Sequence, residues 1–167
     1  MAPRLKLGLL FLVCAAPFAL AWMAYVFDWA AGTTSNYGEL IAPRTLSGPP
    51  FAALRGKWVL LTADESACNA RCENKLYIVR QLRRAMGKDM ERVERLWLVA
   101  GGPAPRSELL AALEGTRLAA YRDAALSTEH IYIVDPLGNL MLRFPRDPDP
   151  SRMIQDLQRL LRASRIG

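Results

Sequence analysis

Histidine is almost missing from this chain, and cysteine is scarce. Among 167 residues stand one histidine, His130, and three cysteines, Cys14, Cys68 and Cys72. A single imidazole excludes a metal site built on several histidines. Charge is also missing over one long stretch, from Leu7 to Phe27 (LGLLFLVCAAPFALAWMAYVF). Cys14 falls inside that stretch and reads as a buried apolar filler. Only Cys68 and Cys72 remain for chemistry. No internal repeat is visible, so length points to one domain of ordinary size with an appendage.

The uncharged stretch explains the appendage. At about 1.5 Å per helical residue, residues 7–27 cross a hydrocarbon core of about 30 Å. Arg4 and Lys6 precede it and Asp28 follows. That asymmetry keeps the N-terminus in the cytoplasm and sends the rest across the inner membrane to the periplasmic side. Trp22, Tyr25 and Trp29 suit an interfacial belt, and a membrane helix tolerates Pro17. Ala19-Leu20-Ala21 resembles a signal-peptide cleavage site, but the apolar run continues past it to Phe27, which favours an uncleaved single-pass anchor.

The formal net charge is +6. Arginines gather at Arg80, Arg83, Arg84, Arg92 and Arg95, and again from Arg143 to Arg165. On the far side of a membrane this argues against nucleic acid. It leaves a solvated basic face, or a surface for an acidic protein or anionic lipid headgroups.

Residues 28–50 hold Gly, Thr, Ser, Asn and three prolines, the composition of a linker. The domain is expected over 51–167. Lys57 to Ala63 reads as a buried strand leading into the cysteine loop. A helical period follows from about Cys72, with Leu76, Val79, Leu82 and Met86 on one face and Lys75, Arg80, Arg83 and Arg84 on the other. Leu96 to Ala100 is a second buried strand. Ser107 is placed to cap a short helix that Gly115 stops. Ile131 to Val134 and Leu140 to Phe144 flank the turn Asp135-Pro136-Leu137-Gly138-Asn139 as a hairpin. Ser151 is placed to cap a last helix with Met153, Ile154, Leu157, Leu160 and Leu161 facing inward. The order strand, helix, strand, helix, hairpin, helix predicts an α/β domain of thioredoxin-like layout: a central mixed sheet flanked by helices, with the cysteines at the carboxyl end of the first strand.

Three readings of Cys68 and Cys72 follow from their spacing. An inert disulfide would close a loop of three residues and remove little chain entropy. A catalytic pair would gain from the helix N-terminus, where thiolates are stabilised, and from Arg71 and Lys75 nearby. Two thiolates would also hold Cu(I) in a linear site. His130, with Tyr132 and Val134 on its side of the strand, is either a strand-end residue or a third ligand, and Glu129 is a harder candidate.

"LRGKWVLL" (residues 54–61), the C-x3-C loop with its following helix, and "IYIVDPLGNLMLRF" together resemble the Sco (SenC) family. The resemblance covers roughly residues 51–165 and agrees with the single anchor. It implies a thioredoxin-like, membrane-anchored copper protein that helps to assemble the CuA centre of cytochrome c oxidase. Cys68 and Cys72 then carry over as thiol ligands, catalytic in thiol reduction or holding Cu(I), with an oxidase subunit or another exported protein as client. This sequence departs from the family pattern in three places. Cys68-Asn69-Ala70-Arg71-Cys72-Glu73 carries no proline. The position of the family's histidine, five before Tyr132, is Ser127, so His130 is displaced. Gly101-Gly102-Pro103-Ala104-Pro105 replaces an acidic segment. Two rivals remain: a general exported thiol–disulfide oxidoreductase, and a docking module with dispensable cysteines. An ordinary thioredoxin fits less well, because its motif is C-x-x-C and a proline precedes its third strand, where Ser127-Thr128-Glu129-His130 stand here.

Overall fold

The computed structural model describes residues 3–27 and 36–166. The chain divides into two units, Met1–Ser35 and Asn36–Gly167. In the first, helix α1 runs Pro3–Val26 with Pro17 inside it. Its window Lys6–Val26 is long and apolar enough to cross a membrane, and none of it is buried by protein. Phe11, Phe18, Trp22 and Tyr25 are all exposed. A helix this long and apolar on every side has the composition of a membrane span. Cys14 is a free cysteine on this helix. Asp28 and Trp29, and with them the far end of the aromatic belt, lie outside the described residues.

The second unit holds six strands in the order β1-β6-β5-β2-β3-β4. In chain order they are β1 Glu39–Thr45, β2 Trp58–Asp64, β3 Val93–Val99, β4 Arg117–Ala120, β5 Ile131–Val134 and β6 Asn139–Arg143. β2, β3 and β4 run parallel, while β5, β6 and β1 add antiparallel pairs. The helices are α2 Pro49–Ala52, α3 Ala70–Ala85, α4 Ser107–Ala112 and α5 Pro150–Ala163, with a 3-10 turn at Gly87–Arg92.

β2 is buried at every position, as its unbroken apolar run requires. Its residues alternate between two cores. Trp58 and Leu60 pack with Ile78, Val79 and Leu82 of α3 and with Met153, Leu157 and Leu161 of α5. Val59, Leu61 and Ala63 pack on the other face with Phe51, Leu54, Tyr132 and Val134. The central sheet therefore carries α3 and α5 on one side, and the predicted thioredoxin-like architecture is the one found.

The linker boundary needs correction. β1 lies inside the stretch 28–50 and pairs with β6, Leu40 opposite Leu142 and Arg44 opposite Leu140. Residues 28–35 of that stretch lie outside the described residues. β1 escaped the sequence reading because all but one of its residues are exposed, so no two-residue period marks it, and Pro43 is tolerated only at a sheet edge. The chain before it is tied down by Gly38 N–H donating to buried Asp156 at 2.8 Å and by Arg152 stacking on the Tyr37 ring at 4.2 Å.

The helix caps also differ. Asp149, not Ser151, caps α5, its carboxylate accepting the Ser151 N–H at 2.8 Å. Ser107 is the first residue of α4, whose flanking Arg106 makes no capping bond.

Candidate functional site

β2 delivers the chain to Asp64 at its buried carboxyl end, and the cysteine loop begins there. The Cys68 N–H donates to the Glu65 carbonyl at 3.1 Å. Cys68 takes φ 39°, a left-handed conformation that turns the chain into α3. Asn69 then caps the helix: its side-chain oxygen accepts the N–H groups of Arg71 at 3.1 Å and Cys72 at 3.0 Å. This is the amide chemistry that favours Asn at a helix start. The helix therefore begins at Ala70, two residues earlier than the apolar period alone suggests. Cys72 is its third residue and Cys68 is the residue before the cap. Their Cα atoms lie 5.2 Å apart and their sulfurs form a disulfide.

Cys68 is 4% exposed and Cys72 1%. They pack with Leu76, Val99, Leu113 and the fully buried indole of Trp97. A cavity of about 300 Å³ opens over the pair and is lined by both cysteines, Asp64, Asn69, Arg71, Thr128 and Glu129. The Gly101-Gly102 segment closes on the same loop. A side chain at Gly102, which has φ 100°, would meet Ser66 Oγ at 2.3 Å, so only glycine permits this approach.

Under the disulfide lies a buried ion pair. Asp64 is 6% exposed and Lys75 2%. Lys75 Nζ stands 2.9 Å from Asp64 Oδ1 and 2.8 Å from Oδ2. Only Oδ1 receives a hydrogen bond of good geometry, so Oδ2 is buried without one. Lys75 also donates to the Thr128 carbonyl, which fastens the loop before β5 to the cysteine helix. Burial raises the Asp64 carboxyl above its ordinary value, outweighing the nearby Lys75 charge that lowers it. Lys75 does not lie on the polar face with the arginines: Cys72, Lys75, Leu76, Val79 and Leu82 form one inward stripe. The spacing 72, 75, 76, 79 was the available signal.

His130 is placed elsewhere. Its Nδ1 lies 2.7 Å from the Phe144 carbonyl and its ring meets Tyr132 edge-on at 6.1 Å. It is not among the residues lining the cavity. Ser127, at the position five before Tyr132, gives its N–H to the Tyr132 hydroxyl at 2.9 Å. The loop before β5 does reach the cysteines, through Thr128 and Glu129. Glu129 reaches Arg71 at 3.6 Å and Arg146 at 3.3 Å on the rim.

The donor set decides what the site can hold. Reduced, Cys68 and Cys72 supply two soft thiolates, sufficient for linear Cu(I). Among the described residues no three of His, Cys, Asp and Glu come together as a metal cluster. The residues present thus suit a two-sulfur cargo site, while disulfide exchange needs nothing further.

Residues 58–164 match the family model of the transmembrane-like, thioredoxin-like, C-terminal domain. No curated protein matches the chain by sequence. Similar solved structures include yeast Sco1 with copper bound, 14% identical, with a TM-score of 0.58 over 68% of this chain and 84% of that one. BsSco, a member of the Sco family of cytochrome c oxidase assembly proteins in which a disulfide switch was identified, is 12% identical, with a TM-score of 0.51 over 77% and 96%. A candidate protein disulfide isomerase from Bacteroides thetaiotaomicron is 14% identical, with a TM-score of 0.50 over 76% and 87%. At these identities the likeness is one of fold.

Proposed function

The chain belongs to the transmembrane-like, thioredoxin-like, C-terminal domain family, and from that premise we propose a membrane-anchored thiol–disulfide protein that prepares the copper-site cysteines of a cytochrome c oxidase subunit. The observation that carries this reading is the Cys68–Cys72 disulfide at the start of α3, buried against Trp97 beneath an open cavity. A structural staple gains little from a loop of three residues. The client class comes from the fold neighbours, one solved with copper and one described as an oxidase assembly protein. Arg4 and Lys6, in the first turn of α1 and ahead of its uncharged run, support an N-terminus in the cytoplasm and a domain on the periplasmic face of the inner membrane.

The pair acts as a dithiol. The Cys68 thiolate attacks a client disulfide; the client S–S bond breaks, one client sulfur leaves as thiolate, and a mixed disulfide forms. Cys72 then attacks Cys68 Sγ, which closes the Cys68–Cys72 bond and releases the second client thiolate. Two electrons pass to the client, and the protons of the pair go to the released thiolates through solvent. Cys68 takes the outer role because it precedes the helix, whereas Cys72 is held within it by the Asn69 cap. Asp64, which lines the cavity with both cysteines and has its carboxyl raised, relays the Cys72 proton on its way to the client thiolate. An exported dithiol reductant restores the reduced pair. In that state the same two sulfurs carry Cu(I) as cargo. A general exported oxidoreductase is the second reading, favoured by the placement of His130 away from the sulfurs.

The test uses the full chain in a maltoside detergent. A disulfide peptide bearing two client cysteines is expected to be reduced, with a change in Trp97 fluorescence, and Cys68→Ser with Cys72→Ser abolishes both. Anaerobic Cu(I) titration against a competing chelator is expected to show one copper held by the wild type and by His130→Ala alike. Copper loss in His130→Ala restores the third ligand. Exchange without copper selects the general oxidoreductase, and absence of both leaves a docking module.

A further inference from the structure

The chemistry at Cys68 and Cys72 leaves the other end of α3 unused. Along α3 the step from Cys72 to Arg83 is about 16 Å at about 1.5 Å per residue. There Arg95 occupies an inward position of β3, between Val93 and Trp97, each 0% exposed. Strand alternation calls for an apolar side chain at such a position. Arg95 is 4% exposed instead. Its Nη2 donates to the Glu114 carbonyl, while Nε and Nη1 have no partner. Buried guanidinium nitrogens left unpaired are costly, and such an exception asks for a reason.

Arg95 is among the residues that line a cavity of about 180 Å³, with Arg80, Arg83, Arg84, Met90 and Glu114. Arg83 is positioned by the Val93 carbonyl at 2.6 Å and Arg80 by the Ala112 carbonyl at 3.1 Å. None of these four arginines forms an ion pair with a carboxylate among the described residues. The lining holds four arginines and one acidic residue, Glu114. The turn after α4 is fitted to the buried one: Gly115 has φ 75°, and a Cβ there would come within 3.0 Å of Arg95 Nη2. Burial, and then the charges of Arg83, Arg80 and Arg84, lower the proton affinity of Arg95. An anion would reverse that.

We propose that this cavity binds a phosphoryl oxyanion, gripped by the fork of Arg95 and neutralised by Arg80, Arg83 and Arg84. Guanidinium forks match tetrahedral oxyanions through paired, charge-assisted hydrogen bonds. The volume equals about six waters, too small for a drug-sized ligand and sufficient for one phosphoryl group. Free phosphate compounds and anionic lipid headgroups share this chemistry. The site is independent of the thiol reading, since it uses none of the same residues.

The test is calorimetric titration of the full chain in maltoside detergent with pyrophosphate and, separately, with dihexanoyl phosphatidylglycerol. Arg95→Met is expected to weaken binding by about tenfold or more, and exposed Arg84→Ala by a few-fold, while Lys88→Ala outside the cavity leaves it unchanged. Without ligand Arg95→Met is expected to melt higher than wild type, because an unpaired buried charge is gone; pyrophosphate is expected to raise the melting point of wild type and Lys88→Ala, and that of Arg95→Met far less. Preference for pyrophosphate assigns a free phosphate compound, and preference for the phosphatidylglycerol assigns a headgroup. No binding of either at millimolar concentration, or binding that both arginine variants retain, overturns the site. Thiol exchange is expected to continue in all three variants, so failure here is distinct from failure at the cysteines.

Discussion

Two buried cations lie under α3, and they are treated differently. Lys75, below the disulfide, meets Asp64 and the Thr128 carbonyl. Arg95, below the last turns of the helix, meets one carbonyl and keeps two nitrogens unpartnered among other arginines. The first charge is closed internally and holds three segments of the site together. The second is left without a counterion, beside a cavity lined by three more arginines. A buried charge with its counterion is compensated within the chain; one without it carries an uncompensated desolvation cost.

The comparison breaks most completely at the cysteines. Cys68→Ser with Cys72→Ser is expected to remove all thiol exchange while leaving phosphoryl binding at Arg95 intact, which peptide reduction and calorimetry on the same variant measure. Lys75→Met comes next. It leaves Asp64 buried and alone and is expected to destabilise the fold by about 3–5 kcal/mol in urea unfolding, whereas Asp64→Asn with Lys75→Met recovers most of the loss. Arg95→Met is expected to have the opposite sign, a gain on the order of 1 kcal/mol, because Glu114 is exposed and its carbonyl can turn to water. If both cations cost stability when removed, the contrast between the two ends fails.

Smaller effects sharpen the picture. Asn69→Ala is expected to cost about 1 kcal/mol by uncapping α3, with slower exchange at Cys72. The pH profile isolates Asp64. Its carboxyl is raised by burial, so the folded chain holds that proton more tightly than the unfolded chain. The resulting stability is complete below the unfolded value and is lost as pH rises through the raised folded value. Unfolding wild type and Asp64→Asn across that interval is expected to show the decline in wild type alone. Parallel profiles would reject burial as the dominant influence on Asp64.

The apolar run into Cys68, the stripe Leu76-Val79-Leu82 and the hairpin around Asp135 to Asn139 made the central fold and the cysteine junction legible, because buried strands and amphipathic helices impose their periods on the chain. β1 and β4 were hidden because exposed edge strands impose none. His130 illustrates a different limit. Its position just before β5 suggested the cysteines, yet its Nδ1 is spent on the Phe144 carbonyl across the hairpin. A neighbour in sequence to the right loop was not a neighbour of the right atoms.

By itself, then, the sequence determined the apolar helix, the sheet core and a thiol pair at a helix start, since hydrophobic periodicity and capping are local and additive. Only the tertiary structure decided which charges would be buried and whether they would meet a partner. Asp64 and Lys75 are drawn together by the packing of α3 on β2, and Arg95 is walled in by α3 and the turn at Gly115. Pairing in a low-dielectric interior depends on where distant segments come to rest, and no local pattern of the chain encodes that.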